Sequence, residues 1–293
     1  MKPVPFSYSR PDTIEDACVL LAGDEDAVVL AGGQTLIPML AMRLARPSQL
    51  VDIARISALT GINALDDGGL WIGAATRQVE IERSVEVLRC APLLAKAMPW
   101  VGHAPTRARG TIGGSMANAD PAAEIPLAAL ASGAVVEVKT GTGTMELTIE
   151  GYFLGPMVTA VPEAALVTGI RFQAPPPGRL GTAFHEVAAR RGDFAFASAA
   201  ARIVLDDNGH CIDLRLAIGG ACDVPVLLSD VGAALIGQQL RRTDFDDAVG
   251  AAVAELDCIG DLHASADYRR RAASTLAKRA LTEALNEALG APT

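Results

Sequence analysis

The sequence predicts an α+β protein with a larger N-terminal part and a smaller C-terminal part. In the first part, short apolar runs alternate with turn residues and short amphipathic segments, as in a protein of mixed strands and helices. Three consecutive prolines at 175–177 cannot continue a helix or a central strand, so they mark a boundary. Beyond them, strand-like segments come first and helical segments follow, which is typical of an α+β unit. We therefore expect domains at 1–174 and 178–290.

The strands of the first part are predicted from short apolar runs that end at glycine or other turn residues. They are expected at 27–30, 49–53, 70–75, 134–140, 144–149 and 166–172. Three helices are predicted from amphipathic spacing, and prolines near their first turns are tolerated there. They are expected at 36–44, at 84–98 with a break at 91–92, and at 121–131.

The C-terminal part is predicted to be a strand meander followed by helices. Its strands are expected at 182–188, 197–205 and 211–218, with a turn at 206–209 between the last two. The last helix is expected at 267–289, where apolar residues recur at helical spacing. Ser265 stands where a side chain can cap the start of this helix.

The composition is that of a globular protein and excludes several classes of partner. Of the 293 residues, 50% are hydrophobic and 20% are charged. The net charge of −9, without any basic run, argues against nucleic acid and anionic membranes. No apolar run approaches the ~20 residues of a membrane span, and Met1–Pro5 lacks the apolar core of a signal peptide. We therefore expect a cytoplasmic protein.

Cysteine and histidine spacing gives no metal site. The five cysteines are scattered without a Cys-x-x-Cys pair, and the four histidines have no ligand spacing. The cysteines are Cys18, Cys90, Cys211, Cys222 and Cys258. We expect them to be reduced thiols, in keeping with a cytoplasmic protein, and we expect no metal on this chain.

The first glycine segment follows the strand predicted at 27–30. It consists of Leu30, Ala31, Gly32, Gly33, Gln34, Thr35 and Leu36. Glycines permit positive φ and close approach of a ligand, and successive N–H groups can form an anion-binding concavity. Gln34 and Thr35 add side-chain donors. An ordinary strand-to-helix turn has the same composition, and the chain contains neither G-x-G-x-x-G nor G-x-x-x-x-G-K-[ST].

The second glycine segment consists of Thr111, Ile112, Gly113, Gly114 and Ser115. Its glycines and hydroxyl groups again suit a diphosphate or another polar chain. Asp120 follows shortly afterwards, directly before Pro121. Its carboxylate can accept hydrogen bonds from ribitol or ribose hydroxyls, or it can simply cap the helix predicted at 121–131. Glu124 lies one turn further on and has an equally simple interpretation as a first-turn acid.

Together the two segments resemble the paired FAD signatures of the molybdenum hydroxylases. The match is to the medium, flavoprotein subunit of this family, which includes xanthine and carbon monoxide dehydrogenases. Ala119-Asp120-Pro121, the opening segment 6–11 and the segment 191–195 are similar too, so the resemblance covers nearly the whole chain. It implies a two-part FAD-binding domain of the PCMH type, with subdomains at 1–56 and 57–174, followed by a smaller α+β C-terminal domain.

The resemblance also implies roles for individual residues. The first segment would hold the FAD diphosphate, and the second segment would close over it. Asp120 and Glu124 match polar positions near the ribityl chain. Three further residues match apolar or aromatic positions around the cofactor, although each also has a simple interpretation as a core residue. These are Val101, Leu166 and Phe194.

One residue departs from the family pattern. Many members have a lysine where this chain has Glu186. A negative charge near a flavin disfavours its anionic reduced forms, because like charges repel. A lysine-like contact with the flavin is therefore in doubt in this chain.

The resemblance implies that this chain binds FAD but carries no other cofactor. The molybdenum cofactor is expected on a large partner subunit and two [2Fe–2S] clusters on a small one, in a dimer of heterotrimers. Electrons would pass from the nearer cluster through FAD to an external acceptor. The sequence identifies neither that acceptor nor the organic substrate.

Two alternatives remain open at this point. One is a stand-alone FAD-dependent oxidase or reductase, in which His103, just before the second segment, could tether the flavin. The other is a non-catalytic scaffold that has lost its flavin, although the intact second segment argues against it.

Overall fold

The computed structural model describes residues 2–291, and the first 56 positions contain a three-stranded parallel sheet. Its elements are β1 (Ser7–Ser9), α1 (Ile14–Ala22), β2 (Ala27–Leu30), α2 (Leu36–Met42) and β3 (Gln49–Asp52). The strand order is β1-β3-β2, and the helices supply the crossovers that parallel strands need. The first glycine segment therefore follows the carboxyl end of a parallel strand.

The middle of the chain forms a five-stranded antiparallel sheet with helices packed against it. The elements are β4 (Ile62–Ala64), β5 (Leu70–Gly73), α3 (Gln78–Arg83), α4 (Val85–Cys90), α5 (Pro92–Ala97), α6 (Ala104–Arg109), α7 (Ile112–Asn118), α8 (Glu124–Ser132), β6 (Val135–Thr140), β7 (Gly143–Thr148), β8 (Phe153–Gly155), β9 (Val158–Thr159) and β10 (Leu166–Phe172). The strand order is β4-β5-β10-β6-β7, and β8 pairs with β9. The predicted helix break is confirmed, since α4 ends at Cys90 and α5 begins at Pro92.

The structure corrects two predictions in this region. The helix predicted at 121–131 begins at Glu124, because the Asp120 carboxylate accepts the Ala122 N–H at 2.9 Å and holds a turn ahead of it. Asp120 is therefore not its N-cap; that position belongs to Ala123. Second, the stretch after Thr111, where no helix was predicted, forms the helix α7.

The C-terminal part is a four-stranded antiparallel meander covered by helices. Its elements are β11 (Arg179–Val187), β12 (Ala197–Leu205), β13 (Cys211–Gly219), β14 (Val226–Leu227), α9 (Ser229–Leu235), α10 (Asp244–Ala254) and α11 (Ala266–Ala288). The predicted cap is confirmed, because the Ser265 hydroxyl accepts the Tyr268 N–H. A Cβ on Gly181 would lie 1.8 Å from the Ala284 carbonyl oxygen, so glycine lets α11 approach β11.

One apolar core crosses the boundary between the middle and C-terminal parts. Phe184, Ala200 and Ala217 of the meander belong to the same cluster as the buried residues of α5 and α8. Two arginines of the meander also reach the end of α8: Arg202 donates to the Ser132 carbonyl at 2.9 Å and Arg215 to the Leu130 carbonyl at 3.0 Å. Cations at this end complement the helix dipole, so the two parts are held together by packing and by capping.

Three properties of the described residues bear on function. The five cysteines are free. Within residues 2–291, no group of three or more histidine, cysteine, aspartate or glutamate side chains is arranged to hold a metal ion. No helix in that range is both long enough and apolar enough to cross a membrane.

Candidate functional site

A cavity of about 500 Å³ lies between the parallel sheet and the helices of the middle region. Residues 30–34 of the first glycine segment form one wall of this cavity. Arg10 and Asp52, which follow or end the neighbouring strands β1 and β3, line it as well. Ligands commonly bind at the carboxyl ends of parallel strands, because the loops there converge on one edge. Arg77 and Arg109 of the middle region complete the charged part of the lining.

The backbone donors of residues 31–35, in the first glycine segment, have no partner within the described part of the chain. Within residues 2–291, none of the N–H groups of residues 31–35 donates a hydrogen bond to another protein group. Gly33 has φ of 73°, in the left-handed region where glycine is favoured, and this turns the chain from β2 towards α2. A run of free N–H groups in such a turn is suited to binding an anion.

The charges around the cavity favour an anion too. Three arginines line it, against a single carboxylate, Asp52. That carboxylate is already engaged: it accepts the Tyr8 hydroxyl, lies 3.6 Å from Arg10 Nε and accepts the Ala54 N–H at 2.9 Å. Its charge is therefore largely satisfied by the protein, whereas the positive charge of Arg77 and Arg109 is left facing the cavity.

Sequence reasoning did not assign Arg10, Asp52, Arg77 and Arg109 to the site. The signal for two of them was present, because residues at the carboxyl ends of parallel strands meet at one edge of the sheet. Arg109 lies two residues before the start of the second glycine segment. Arg77 comes close to the cavity only because it pairs with Thr111 in an isolated antiparallel bridge. Local sequence does not reveal this pairing.

The second glycine segment uses its backbone donors inside the protein. Ile112 N–H donates to Thr76 O at 3.2 Å and Gly113 N–H to Ala74 O at 2.9 Å. The Thr111 side chain caps α7 by accepting the Gly114 N–H at 3.1 Å. Ser115 N–H donates to Thr111 O. This segment therefore positions a helix. Its side chains, which lie near the first segment, are the groups that can contact a ligand.

The first glycine segment contacts the two residues that directly precede the second one. A Cβ on Gly32 would lie 2.6 Å from the Arg109 carbonyl oxygen and 2.8 Å from Gly110 Cα. The Arg77 guanidinium donates to the same Arg109 carbonyl, and Gln78 N–H donates to Gly110 O at 2.9 Å. The absence of a side chain at Gly32 thus lets the two halves of the site meet.

Asp120 and Glu124 lie beyond α7, outside the cavity lining. Burial raises the pKa of Asp120, although the hydrogen bond from Ala122 N–H opposes this. Burial raises the pKa of Glu124 to about 7, and the nearby Asp120 charge adds to the effect. Both groups are more readily protonated than exposed acids, which suits polar contacts in a partly dry environment.

The three apolar and aromatic candidates have different surroundings. Val101 is 7% exposed and Leu166 is 2% exposed, and both belong to apolar clusters. Phe194 is 73% exposed, so its interpretation as a core residue is wrong. Among the described residues, the structure gathers Leu30, Ala31, Gly32, Gly33 and Gln34 around the cavity and places these three elsewhere.

Two protein-family models together match most of the chain. Residues 4–175 match the FAD binding domain in molybdopterin dehydrogenase, and residues 182–284 match the CO dehydrogenase flavoprotein C-terminal domain.

Similar proteins match over nearly their full lengths. The subunit alpha of the 6-hydroxypseudooxynicotine dehydrogenase complex of Paenarthrobacter nicotinovorans is 36% identical, covering 98% of this chain and 97% of its own. The carbon monoxide dehydrogenase medium chain of Afipia carboxidovorans is 33% identical, covering 97% and 98%. Among solved structures, quinoline 2-oxidoreductase from Pseudomonas putida 86 superposes with a TM-score of 0.92 at 31% identity, covering 99% and 100%.

Proposed function

Because this chain belongs to the FAD-binding medium subunits of the molybdenum hydroxylases, we propose that residues 31–35 hold the diphosphate of FAD. The chain is a subunit of an oxidoreductase, and its electron-transfer role is to pass electrons from a partner subunit through FAD to an external acceptor. Relatives that match over nearly their full lengths are named as subunits of dehydrogenases or of a hydroxylase, which favours this function over a stand-alone flavoprotein.

The observation that carries the proposal is the set of unpaired N–H groups at residues 31–35, beside three arginines in one cavity. A diphosphate is an anion with many acceptor oxygens, and it needs this combination of backbone donors and positive charge. The donors of the cavity therefore fit the charged part of FAD.

Each part of the chain has its own task around the cofactor. FAD supplies the redox chemistry when it is bound, while the protein binds and orients it. The backbone of 31–35, with Gln34 and Thr35, would hold the diphosphate, and Arg77 and Arg109 would neutralise its charge. Thr111, Gly113 and Ser115 would fix α7 in place as the second wall of the cofactor site. The Asp120 carboxylate would accept hydrogen bonds from hydroxyl groups of the ribityl chain.

Further proposed contacts depend on the family resemblance. Val101 and Leu166 would support the cofactor from within their apolar clusters, and Phe194, which is exposed, would be free to contact it. Leu36, Ile112, Gly114 and Glu124 complete the proposed set. The two matched ranges support a FAD-binding domain at 1–174 and a C-terminal domain at 178–290. The separate three-stranded and five-stranded sheets support subdomains at 1–56 and 57–174 within the first domain.

We propose that the partners are a small iron–sulfur subunit and a large molybdenum-cofactor subunit, in a dimer of heterotrimers. Relatives named as medium chains or complex subunits support a multi-subunit enzyme. Similar relatives are named for substrates as different as carbon monoxide and caffeine, at 33% and 34% identity. The choice of organic substrate is therefore proposed to lie in another subunit.

The test is to isolate the chain, alone and with its partners, and to identify the flavin. We expect a yellow protein that releases FAD on denaturation. A colourless product from well-folded protein would contradict the proposal. Flavin that stays attached to the denatured polypeptide would instead indicate a covalent flavoprotein oxidase.

A further inference from the structure

Asp52 lies between Arg10 and the first glycine segment at the carboxyl edge of the three-stranded parallel sheet. β3 is the central strand, and Asp52 at its end pairs with Leu30, the first residue of the glycine segment. On the other side Ser9 pairs with Val51, so Arg10 comes next in register with Asp52. Neighbouring strands are about 4.8 Å apart, so the Asp52 carboxylate separates Arg10 from the glycine segment by one strand.

Three contacts fix the Asp52 carboxylate, which is 8% exposed. Its Oδ1 atom accepts the Ala54 N–H at 2.9 Å. Its Oδ2 atom accepts the Tyr8 hydroxyl and lies 3.6 Å from Arg10 Nε. Tyr8 and Arg10 are two residues apart in an extended segment, so both side chains leave the chain on the same side. The carboxylate is therefore held in one orientation and gives Arg10 a fixed partner.

The Arg10 guanidinium can contact this carboxylate and an anion at the same time. A guanidinium is planar and carries donors on Nε and on two terminal nitrogens. Nε faces Asp52, and among the hydrogen bonds within residues 2–291 none involves the terminal nitrogens. The side chain is 36% exposed and lines the cavity. The terminal nitrogens are therefore available to phosphate oxygens, which arginine binds in a bidentate manner.

We propose that Asp52 is a positioning residue, which holds Arg10 so that the terminal nitrogens of Arg10 bind the diphosphate of FAD. The inference depends on the proposed function, in which residues 31–35 hold the same diphosphate. An arginine that is ordered before the ligand arrives loses less conformational entropy when the ligand binds. Asp52 therefore supports the binding of an anion through Arg10, although its own charge repels that anion.

The test is a double-mutant cycle on the dissociation constant of FAD for the full chain. Arg10→Ala should raise this constant about tenfold in the wild-type background. In the Asp52→Asn background the same change should raise it less than about threefold, because an arginine that is not held contributes less. If the two residues acted only as independent charges, neutralising Asp52 would leave the contribution of Arg10 unchanged or would increase it.

Tyr8→Phe provides a second background in which no charge changes. It removes the hydroxyl that Asp52 accepts but keeps the carboxylate, so the effect of Arg10→Ala should again be smaller than in the wild type. Arg10→Lys keeps the charge but has a single nitrogen, which cannot contact Asp52 and the diphosphate as a guanidinium does. This variant should bind FAD at least about fivefold more weakly than the wild type.

The matched control is the ion pair of Arg171 and Glu146 on the five-stranded sheet, at 3.1 Å and outside the cavity lining. Arg171→Ala and Glu146→Gln, separately and together, should leave the dissociation constant of FAD unchanged. The inference is overturned if Arg10→Ala has no effect, or if its effect is as large in the Asp52→Asn and Tyr8→Phe backgrounds as in the wild type. Folded wild-type protein that binds no FAD overturns the proposed function itself.

Discussion

The two glycine segments have similar compositions but opposite structural roles. Among residues 2–291, the N–H groups of residues 31–35 have no protein partner and lie beside a cavity, whereas residues 112 and 113 use theirs to anchor α7 on the neighbouring backbone. Residues 114 and 115 donate theirs to Thr111, at the start of the same helix. A Cβ on Gly113 would lie 2.4 Å from Ala74 Cβ, so this glycine is required by packing. A glycine pair in a sequence can therefore indicate a ligand or a close contact between elements, and only the destination of the N–H groups distinguishes them.

The largest effect should be a loss of stability when a side chain is added at Gly113 in the second glycine segment. Gly113→Val places a branched side chain against Ala74, and relieving the overlap breaks the hydrogen bond from Gly113 N–H to Ala74 O. Overpacking of this kind should lower the free energy of unfolding by about 3 kcal/mol, measured by denaturant titration without FAD. Gly141→Val, where a Cβ meets no atom within 4 Å, is the control and should change stability little.

Adding a side chain at Gly32 in the first glycine segment should instead weaken the binding of FAD. Gly32→Ala would push residues 31–35 away from the Arg109 carbonyl and misplace the free N–H groups. We expect the dissociation constant of FAD to rise by roughly 100-fold, which is about 2.7 kcal/mol, with a smaller change in apoprotein stability. Gly23→Ala, whose Cβ makes an ordinary 3.4 Å contact at the end of α1, is the matched control. Equal losses of stability at Gly32 and Gly113 would contradict the contrast between the segments.

A third change removes one of the positive charges that line the cavity. Arg77→Ala deletes a cavity cation and its hydrogen bond to the Arg109 carbonyl. FAD binding should weaken by about tenfold at low salt, and the difference from wild type should shrink as salt screens the charge. Arg241→Ala, whose side chain is 81% exposed, should bind FAD normally. A loss that is independent of salt would show that Arg77 acts through packing alone.

The smallest predicted effect concerns the cap of α7. Thr111→Ala removes the hydroxyl that accepts the Gly114 N–H, and this should cost about 1 kcal/mol of stability. Thr111→Ser keeps the hydroxyl and should restore the stability in thermal unfolding. If Thr111→Ala binds FAD as weakly as Gly32→Ala, the second segment contacts the cofactor directly.

Much of the secondary structure could be predicted from local pattern. The strand predicted at 197–205 is Ala197–Leu205 in the structure, because a largely buried strand leaves a mostly apolar run, interrupted here by Ser198 and Arg202. The helix α7 could not be predicted in this way, since Gly113 and Gly114 are poor helix formers. It forms because Thr111 caps it and because the Ala74 carbonyl accepts the Gly113 N–H. The contact with Ala74 is tertiary, so local sequence does not reveal it. Asp120-Pro121 is typical of a helix start, but the turn closed on Ala122 delays the helix to Glu124.

The site was predictable only to the extent that it is local. The first glycine segment is contiguous, so its residues could be named from the sequence. Asp52 and Arg77 reach the cavity through the order of the parallel strands and through pairing with Thr111. Exposure is also a property of the whole fold, which is why the sequence could not decide whether Phe194 is buried.

The capping of α8 by Arg202 and Arg215 has a consequence for how the protein is made. These arginines emerge from the ribosome long after the helix whose carbonyls they bind at Ser132 and Leu130. Phe184, Ala200 and Ala217 arrive late as well, although they belong to the core of the preceding part. A nascent chain that stops at the three prolines would expose this apolar surface, so we expect it to need chaperones and to be prone to aggregation. The two matched ranges are thus separate units at the level of sequence. The core of the first part, however, is completed only when residues of the second part have been made.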